Sequence, residues 1–506
     1  MSVLAELVEK VKKAKVYDVA VKTPLDPAPI LSQRLSNDVY LKREDLQSVF
    51  SFKLRGAYNK IAQLTADQRQ RGIIAASAGN HAQGVALAAQ KLGIQATIVM
   101  PKTTPGIKVD AVTAYGASII LHGNTYDDAR EYAYSIMEKE QNVFVHPYDD
   151  VDVMAGQGTV AVEILEQLDQ NLDVIFIPVG GGGLIAGMSA FIKAVSPKTK
   201  IVAVEADDSA CLKAAMEKGE RVILDQVGIF ADGVAVRQIG ELTFAVIRQC
   251  VDLTISVSTD EICAAIKDIF DETRSIAEPA GALAVAGMKR YQQENSSTGQ
   301  TWVAIDSGAN MNFDRLRHVS ERAELGERRE ALIAVTIPER PGSFRQFCKL
   351  IGSRGITEFN YRFSDPASAH VFVGVQMLTG EQEKDELMQV LQQHDYPVLD
   401  MTDNEMAKIH IRYMVGGRAV GVENERLYRF EFPERPGALL RFLKHMGKQW
   451  NISLFHYRNH GAAYGRILVG MQVPDSDEVA FNDFLAELGY PYWPESNNPA
   501  YELFLN

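Results

Sequence analysis

The sequence predicts an α/β protein: a domain built on parallel sheet, followed by an α+β module present in two tandem copies. Three observations carry this reading. From about residue 70, short apolar runs rich in Ile and Val alternate with longer helical patterns. A charge-rich stretch over 321–330 ends that rhythm, and beyond it a Pro-Gly motif recurs at fixed spacing.

The runs Ile73–Ala76, Ala96–Met100, Ser118–Leu121, Val174–Ile177, Ile201–Val204 and Trp302–Ile305 read as buried strands. His81–Leu92 and Thr159–Leu168 read as helices of the crossover connections that parallel strands require. Behind the charged stretch, Ile337-Pro338-Glu339-Arg340-Pro341-Gly342 returns 95 residues later as Phe432-Pro433-Glu434-Arg435-Pro436-Gly437. At an offset of 96, Ile356-Thr357-Glu358-Phe359-Asn360-Tyr361-Arg362 matches Ile452-Ser453-Leu454-Phe455-His456-Tyr457-Arg458, and Phe372-Val373-Gly374-Val375 matches Leu468-Val469-Gly470-Met471. Each copy reads as one β-α-β-β-α-β unit of ferredoxin-like type. A duplicated unit that only assembles subunits would carry the same pattern. The expected domains are 1–320, with a smaller lobe at roughly 45–145, a linker at 321–330, and repeats at 331–425 and 426–506.

Composition narrows the classes of function. At 506 residues, 46% hydrophobic and 23% charged, the chain can bury large cores. Its net charge of −13 comes from interspersed Asp and Glu, which disfavours a nucleic-acid partner and leaves small metabolites open. The four cysteines, Cys211, Cys250, Cys263 and Cys348, are far apart with no CxxC pair. That argues against a metal site or disulfide framework and fits a reducing cytoplasm. No apolar run of about 20 residues suggests a membrane segment, and no leader is expected.

Four short segments carry chemistry. Ser51-Phe52-Lys53-Leu54-Arg55-Gly56-Ala57 sets a lysine between apolar neighbours at the start of a helical pattern. Burial lowers a lysine's pKa and frees its amine to attack an aldehyde, although a snorkelling helix lysine has the same surroundings. Ser77-Ala78-Gly79-Asn80-His81-Ala82-Gln83-Gly84 leaves a strand and opens a helix, where backbone N–H groups can hold a carboxylate, or Asn80 can simply cap the helix. Gly180-Gly181-Gly182-Gly183-Leu184 follows an apolar strand. Four glycines suit a backbone that closely approaches a phosphate, or a hinge. Asp306-Ser307-Gly308-Ala309-Asn310 ends another strand, where the Ser307 hydroxyl can bond a ring nitrogen or serve as a turn residue.

Taken in order, these segments resemble the fold-type II pyridoxal-phosphate enzymes, and among them the biosynthetic threonine dehydratases, over essentially the whole chain. The resemblance implies a two-lobed catalytic domain of parallel sheet and paired ACT-like regulatory subdomains. It implies that Lys53 carries the cofactor beside Phe52, that Asn80 lies by the cofactor's phenolic oxygen, and that Ser307 faces the ring nitrogen. Gly180, Gly181, Gly182, Gly183 and Leu184 would take the phosphate, and Ser77, Ala78, Gly79, Asn80 and His81 the substrate carboxylate. His81 itself reads as structural. The resemblance further implies deamination of L-threonine with some activity on L-serine, inhibition by isoleucine, relief by valine, and a homotetramer. Asn360 and Tyr361 in the first repeat, with His456 and Tyr457 in the second, are the expected effector residues. Serine racemases resemble the same fold but would place a serine base at position 78, where this chain has Ala78.

Overall fold

The computed structural model describes the chain except residues 1–2, 229, 415, 418, 434–437, 447–448, 459–463, 500, 502–504 and 506. The chain forms two compact units, Met1–Gly326 and Glu327–Asn506.

In the first unit the strands are β1 (Leu25–Pro27), β2 (Asp38–Arg43), β3 (Ile73–Ala76), β4 (Ala96–Met100), β5 (Ser118–Leu121), β6 (Val143–Phe144), β7 (Val174–Pro178), β8 (Lys200–Ala206), β9 (Leu253–Val257) and β10 (Thr301–Asp306). They form two sheets. One is four-stranded and wholly parallel in the order β5-β4-β3-β6; the other runs β1-β2-β10-β7-β8-β9, with only β1 antiparallel to its neighbour. Every residue of β3, β7 and β10 is buried, as expected where helices cover both faces of a sheet.

Three expectations change. Ser118–Leu121 is a strand but not a buried one, because β5 lies at the edge of its sheet and Leu121 is 45% exposed. The helix expected over Thr159–Leu168 runs Val151–Gln167; its start signal is Asp150, whose carboxylate accepts from the amides of Asp152 and Val153. The charged run 321–330 is helical as far as Gly326, within the helix Arg315–Gly326. Arg322 there is buried and bonds Asp260 at 2.9 Å, so its charge marks a packed helix rather than a loop.

The helix Lys53–Ala62 is fixed to the rest of the unit by a buried ionic cluster. Arg55 Nη1 donates to Glu163 at 2.6 Å and its Nε to Glu44 at 2.8 Å, while Lys42 Nζ reaches Glu163 at 2.6 Å, all four side chains being fully buried. Paired guanidinium–carboxylate bonds of this kind hold a fixed geometry, and here they tie the helix that Lys53 opens to Glu44, just past β2, and to Glu163 of the helix Val151–Gln167.

The second unit holds β11 (Glu330–Pro338), β12 (Ile356–Arg362), β13 (Ser368–Gln376), β14 (Val398–Asp400), β15 (Glu425–Pro433), β16 (Asn451–Arg458), β17 (Tyr464–Gln472) and β18 (Tyr492–Pro494). These make one antiparallel sheet in the order β14-β11-β13-β12-β16-β17-β15-β18. Each repeat supplies four strands, and the repeats join through β12 and β16, where Asn360 pairs with His456 and Tyr361 with Phe455. Phe344, Phe359, Tyr361, Phe442, Phe455 and Tyr457 pack in one core along this seam.

Candidate active site

Chemistry in an open parallel sheet collects at the carboxyl ends of strands, and the first unit follows that rule. β3 leads into the 77–79 turn, β7 into the glycine run, and β10 into Ser307. Lys53 opens its own helix, and the preceding Ser51 forms an isolated antiparallel bridge with Gly308, just past β10.

Among the described residues Lys53 Nζ has no hydrogen bond or ion pair; it sits 5.1 Å from the centre of the Phe52 ring. Burial pulls its ammonium down to about 8, against the opposing field of Glu278. A lysine with that pKa is a usable nucleophile and base near neutrality. Beside it, the Ser51 hydroxyl is buried without a partner, which leaves a polar group in place for a ligand.

The segment 77–81 settles one alternative. Gly79, not Asn80, is the residue before the helix Asn80–Leu92, and no side chain caps that end. The amide of Asn80 is instead committed elsewhere: its Nδ2 donates to Glu278 at 2.6 Å and its Oδ1 accepts from Asn310 at 2.7 Å. His81 is buried, with Nε2 at 2.9 Å from the Val145 carbonyl, so Nε2 carries the hydrogen. Burial drops its pKa to about 3, which keeps the ring neutral and suits the structural role. The first-turn N–H groups of the helix have no helical carbonyl to bind and are available to an anion.

The glycine run begins the helix Gly183–Val195, again with no side-chain cap. Gly182 has φ +92°, a conformation that suits glycine. Space is short at every position of the run. A Cβ on Gly180 would lie 2.9 Å from Val234 Cα, on Gly181 2.2 Å from the Tyr148 ring, on Gly182 2.8 Å from Ile247 Cδ1, and on Gly183 3.0 Å from Tyr148 Cα. The run therefore has a packing reason as well as the ligand reason the sequence suggests, and it leads directly into a helix start.

Ser307 is buried; its Oγ donates to the Ala280 carbonyl at 3.2 Å, and its own carbonyl accepts from the Phe52 amide at 3.4 Å. The strand end carrying Ser307 is thus tied to the segment carrying Lys53. Three side chains here have no role in the sequence reading: Glu278, Asn310 and Tyr148. Glu278 precedes Pro279 at the start of the helix Pro279–Asn295 and is 3% exposed. Burial, with a contribution from Asp232, pushes its carboxyl up to about 7 against the hydrogen bond from Asn80. In the sequence Glu278 is only a residue before a helix-starting proline, and its burial shows only in the fold.

In the second unit the four expected effector residues divide by strand alternation. Tyr361 and Tyr457 lie in the core, 3% and 2% exposed, and the Tyr361 hydroxyl donates to Glu339. Asn360 points away from that core; its Nδ2 donates to the Arg412 carbonyl at 2.9 Å and its Oδ1 is buried without a partner. His456 is directly opposite Asn360 in the register. A pocket opens elsewhere, at the Pro341-Gly342 turn, lined by Arg340, Arg345 and Phe344 of the first repeat and Leu443, Asn451 and Ile452 of the second. The matching turn of the second repeat, 434–437, lies outside the described residues. Among the described residues no cluster of His, Cys, Asp and Glu could hold a metal ion, and no helix is long and apolar enough to cross a membrane.

Comparison with known proteins gives the same division. Residues 16–308 match the pyridoxal-phosphate dependent enzyme family, and residues 321–411 and 416–505 match the C-terminal regulatory domain of threonine dehydratase. The chain is 55% identical to a biosynthetic L-threonine dehydratase of Burkholderia multivorans, with 99% of both chains covered, and 53% identical to that of Escherichia coli, with 99% of this chain and 97% of the relative covered. A solved structure of the processed form of threonine deaminase isoform 2 from Solanum lycopersicum matches with a TM-score of 0.62 and 48% identity, over 63% of this chain and 93% of that one. A parallel-sheet domain followed by two tandem repeats thus has its counterpart in known sequences, and the chain belongs to the biosynthetic threonine dehydratase family of pyridoxal-phosphate-dependent enzymes.

Proposed function

We propose that the chain deaminates L-threonine to 2-oxobutanoate and ammonia with pyridoxal phosphate carried on Lys53, as the committed step toward isoleucine. The observation that carries the proposal is the Lys53 amine, unpaired and lowered to about 8 by burial. Pyridoxal phosphate, when bound, supplies an electron sink for the charge left at the substrate's Cα. Gly180 to Gly183 with Leu184 would hold its phosphate at the uncapped helix start, Phe52 would flank it, Asn80 would face its phenolic oxygen, and Ser307 its ring nitrogen. The backbone of Ser77–His81 would bind the threonine carboxylate. Once the substrate amine displaces Lys53 from the cofactor, the freed Nζ would take the Cα proton, and the β-hydroxyl, on gaining one proton, would leave as water. The released enamine tautomerises and hydrolyses, which returns one water and frees ammonia. L-Serine, one methyl smaller, is a secondary substrate. A keto-acid assay tests the reading: 2-oxobutanoate and ammonia should appear in equal amounts from threonine, and failure of either to form would remove it.

Regulation rests on the second unit. We propose that isoleucine inhibits and valine relieves inhibition, with one site at the Pro341-Gly342 turn. The helix Ser343–Ile351 starts there after Gly342 at φ +90°, and its free amides, with Arg340 and Arg345, suit a carboxylate. Phe344, Leu443 and Ile452 offer an apolar wall for a branched side chain. Glu339, held by Tyr361 and by Asn451 Nδ2 at 2.9 Å, supplies the acceptor for an ammonium group. Asn360, His456 and Tyr457 support the seam behind this site. Tyr361→Phe removes only the bond to Glu339, and should raise the isoleucine concentration for half-inhibition by roughly five- to tenfold, within the usual range of allosteric coupling, with turnover retained. Truncation after Gly326 should leave a folded enzyme indifferent to isoleucine. Full inhibition of that truncated enzyme would assign the repeats to assembly alone. The family resemblance also points to a cytoplasmic homotetramer, which sedimentation would test.

A further inference from the structure

Asn80 stands at the centre of a hydrogen-bond chain whose polarity is fixed from the Val49 end. At one end the Val49 carbonyl, which can only accept, takes a hydrogen from Asn310 Nδ2 at 2.8 Å. The other hydrogen of that nitrogen goes to Asn80 Oδ1 at 2.7 Å. At the far end Asn80 Nδ2 donates to Glu278 Oε1 at 2.6 Å. A primary amide has two N–H donors and one carbonyl oxygen, and either sense fits most cavities equally well. Here only one sense fits, because reversing Asn80 would set its nitrogen against the Asn310 nitrogen, whose own sense the Val49 carbonyl fixes.

We propose that Glu278 and Asn310 are positioning residues that clamp the Asn80 amide, so that the one hydrogen left on Nδ2 is always presented as a donor to the ligand beside Lys53. The clamp is built into rigid parts of the fold. Glu278 is held by its own amide, which donates to the Gly308 carbonyl at 2.9 Å, and Gly308 is the bridge partner of Ser51. A Cβ on Gly308 would lie 2.8 Å from Glu278 Oε1, so the absence of a side chain there is what admits the carboxylate. Both clamp residues therefore hang from the same strand end that anchors the Lys53 segment. For a phenolic oxygen facing Asn80, a fixed donor stabilises the deprotonated form, whereas a reversed amide would set two acceptors together. The inference rests on the placement of Asn80 by the cofactor proposed above.

The test uses the full-length protein and reads two quantities besides activity: the affinity for pyridoxal phosphate and the pH midpoint of the bound cofactor's absorption band. Glu278→Ala and Asn310→Asp should each weaken cofactor binding by roughly tenfold to a hundredfold, as loss of a buried hydrogen bond that leaves its partner unsatisfied does. Each should also move the midpoint by about one pH unit or more. Glu278→Gln, whose amide oxygen still accepts from Asn80, should stay within about threefold of the parent, since the bond it keeps differs only in charge. If Glu278→Gln is as impaired as Glu278→Ala, the carboxylate acts through its charge and the clamp is wrong. Parental values in both Glu278→Ala and Asn310→Asp, with Asn80→Ala altered, would also overturn the clamp while leaving Asn80 by the cofactor. Parental values in Asn80→Ala itself would remove the placement of Asn80, and the clamp with it. Asn310 is half-buried, less enclosed than Glu278, so its variant keeps the test open if Glu278→Ala fails to fold.

Discussion

Lys53→Ala is expected to lower threonine turnover by about a thousandfold or more, because one amine is asked both to bind the cofactor covalently and to move the Cα proton. Its fold should survive. Lys53 makes no ion pair or hydrogen bond among the described residues, and the helix behind it is held by Arg55, Glu44 and Glu163 rather than by Lys53. Removing an ammonium whose burial outweighs the favourable field of Glu278 should if anything stabilise the cofactor-free chain. In the parent protein, cofactor uptake should speed up as pH rises through about 8, where the Lys53 ammonium loses its proton. Lys53→Ala should show no such rise. Turnover within about tenfold of the parent would be too high for the loss of a covalent catalyst and would assign the chemistry to another group.

Gly182→Val carries the second large effect, expected as roughly a hundredfold loss of cofactor affinity, equivalent to about 2.8 kcal/mol. The backbone at φ +92° disfavours a β-branched residue, and its Cβ would meet Ile247 and Ile239 within 3 Å. To accommodate valine the 180–183 backbone must move, and the amides at the start of the helix Gly183–Val195 move with it. Because the run also packs against Tyr148 and Val234, the cofactor-free chain should lose about 1–3 kcal/mol of stability as well. Measuring affinity and melting together separates the two effects. A folded variant with unchanged cofactor affinity would leave the glycines a packing role only.

What the sequence made legible follows from how far apart the cooperating residues are. Lys53, the 77–81 segment, the glycine run and Ser307 each lie within a few residues of a strand end or helix start, and such junctions announce themselves through apolar runs, small residues and glycines. The repeat was legible because duplication preserves order, and β11 to β14 and β15 to β18 follow it strand for strand. Glu278, Asn310 and Tyr148 were not legible, because each has an unremarkable local setting. Glu278 reads as a residue before a helix-starting proline, and Asn310 as the end of a turn; only the pairing of segments 198 and 230 residues apart gives them a role. Arg55 stood inside a quoted motif yet showed no purpose, since its partners Glu44 and Glu163 come from other elements. The effector residues were named from the repeat alone, and strand alternation then put Tyr361 and Asn360 on opposite faces, which no offset between copies reveals.

The measurement that tests the central claim most directly is the site of covalent attachment. Borohydride reduction of the full-length protein with bound pyridoxal phosphate, followed by peptide mapping, should place one cofactor per chain on Lys53, with none on the buried Lys42 or on Lys60 of the same helix. Label on another lysine, or none retained after reduction, would contradict the account.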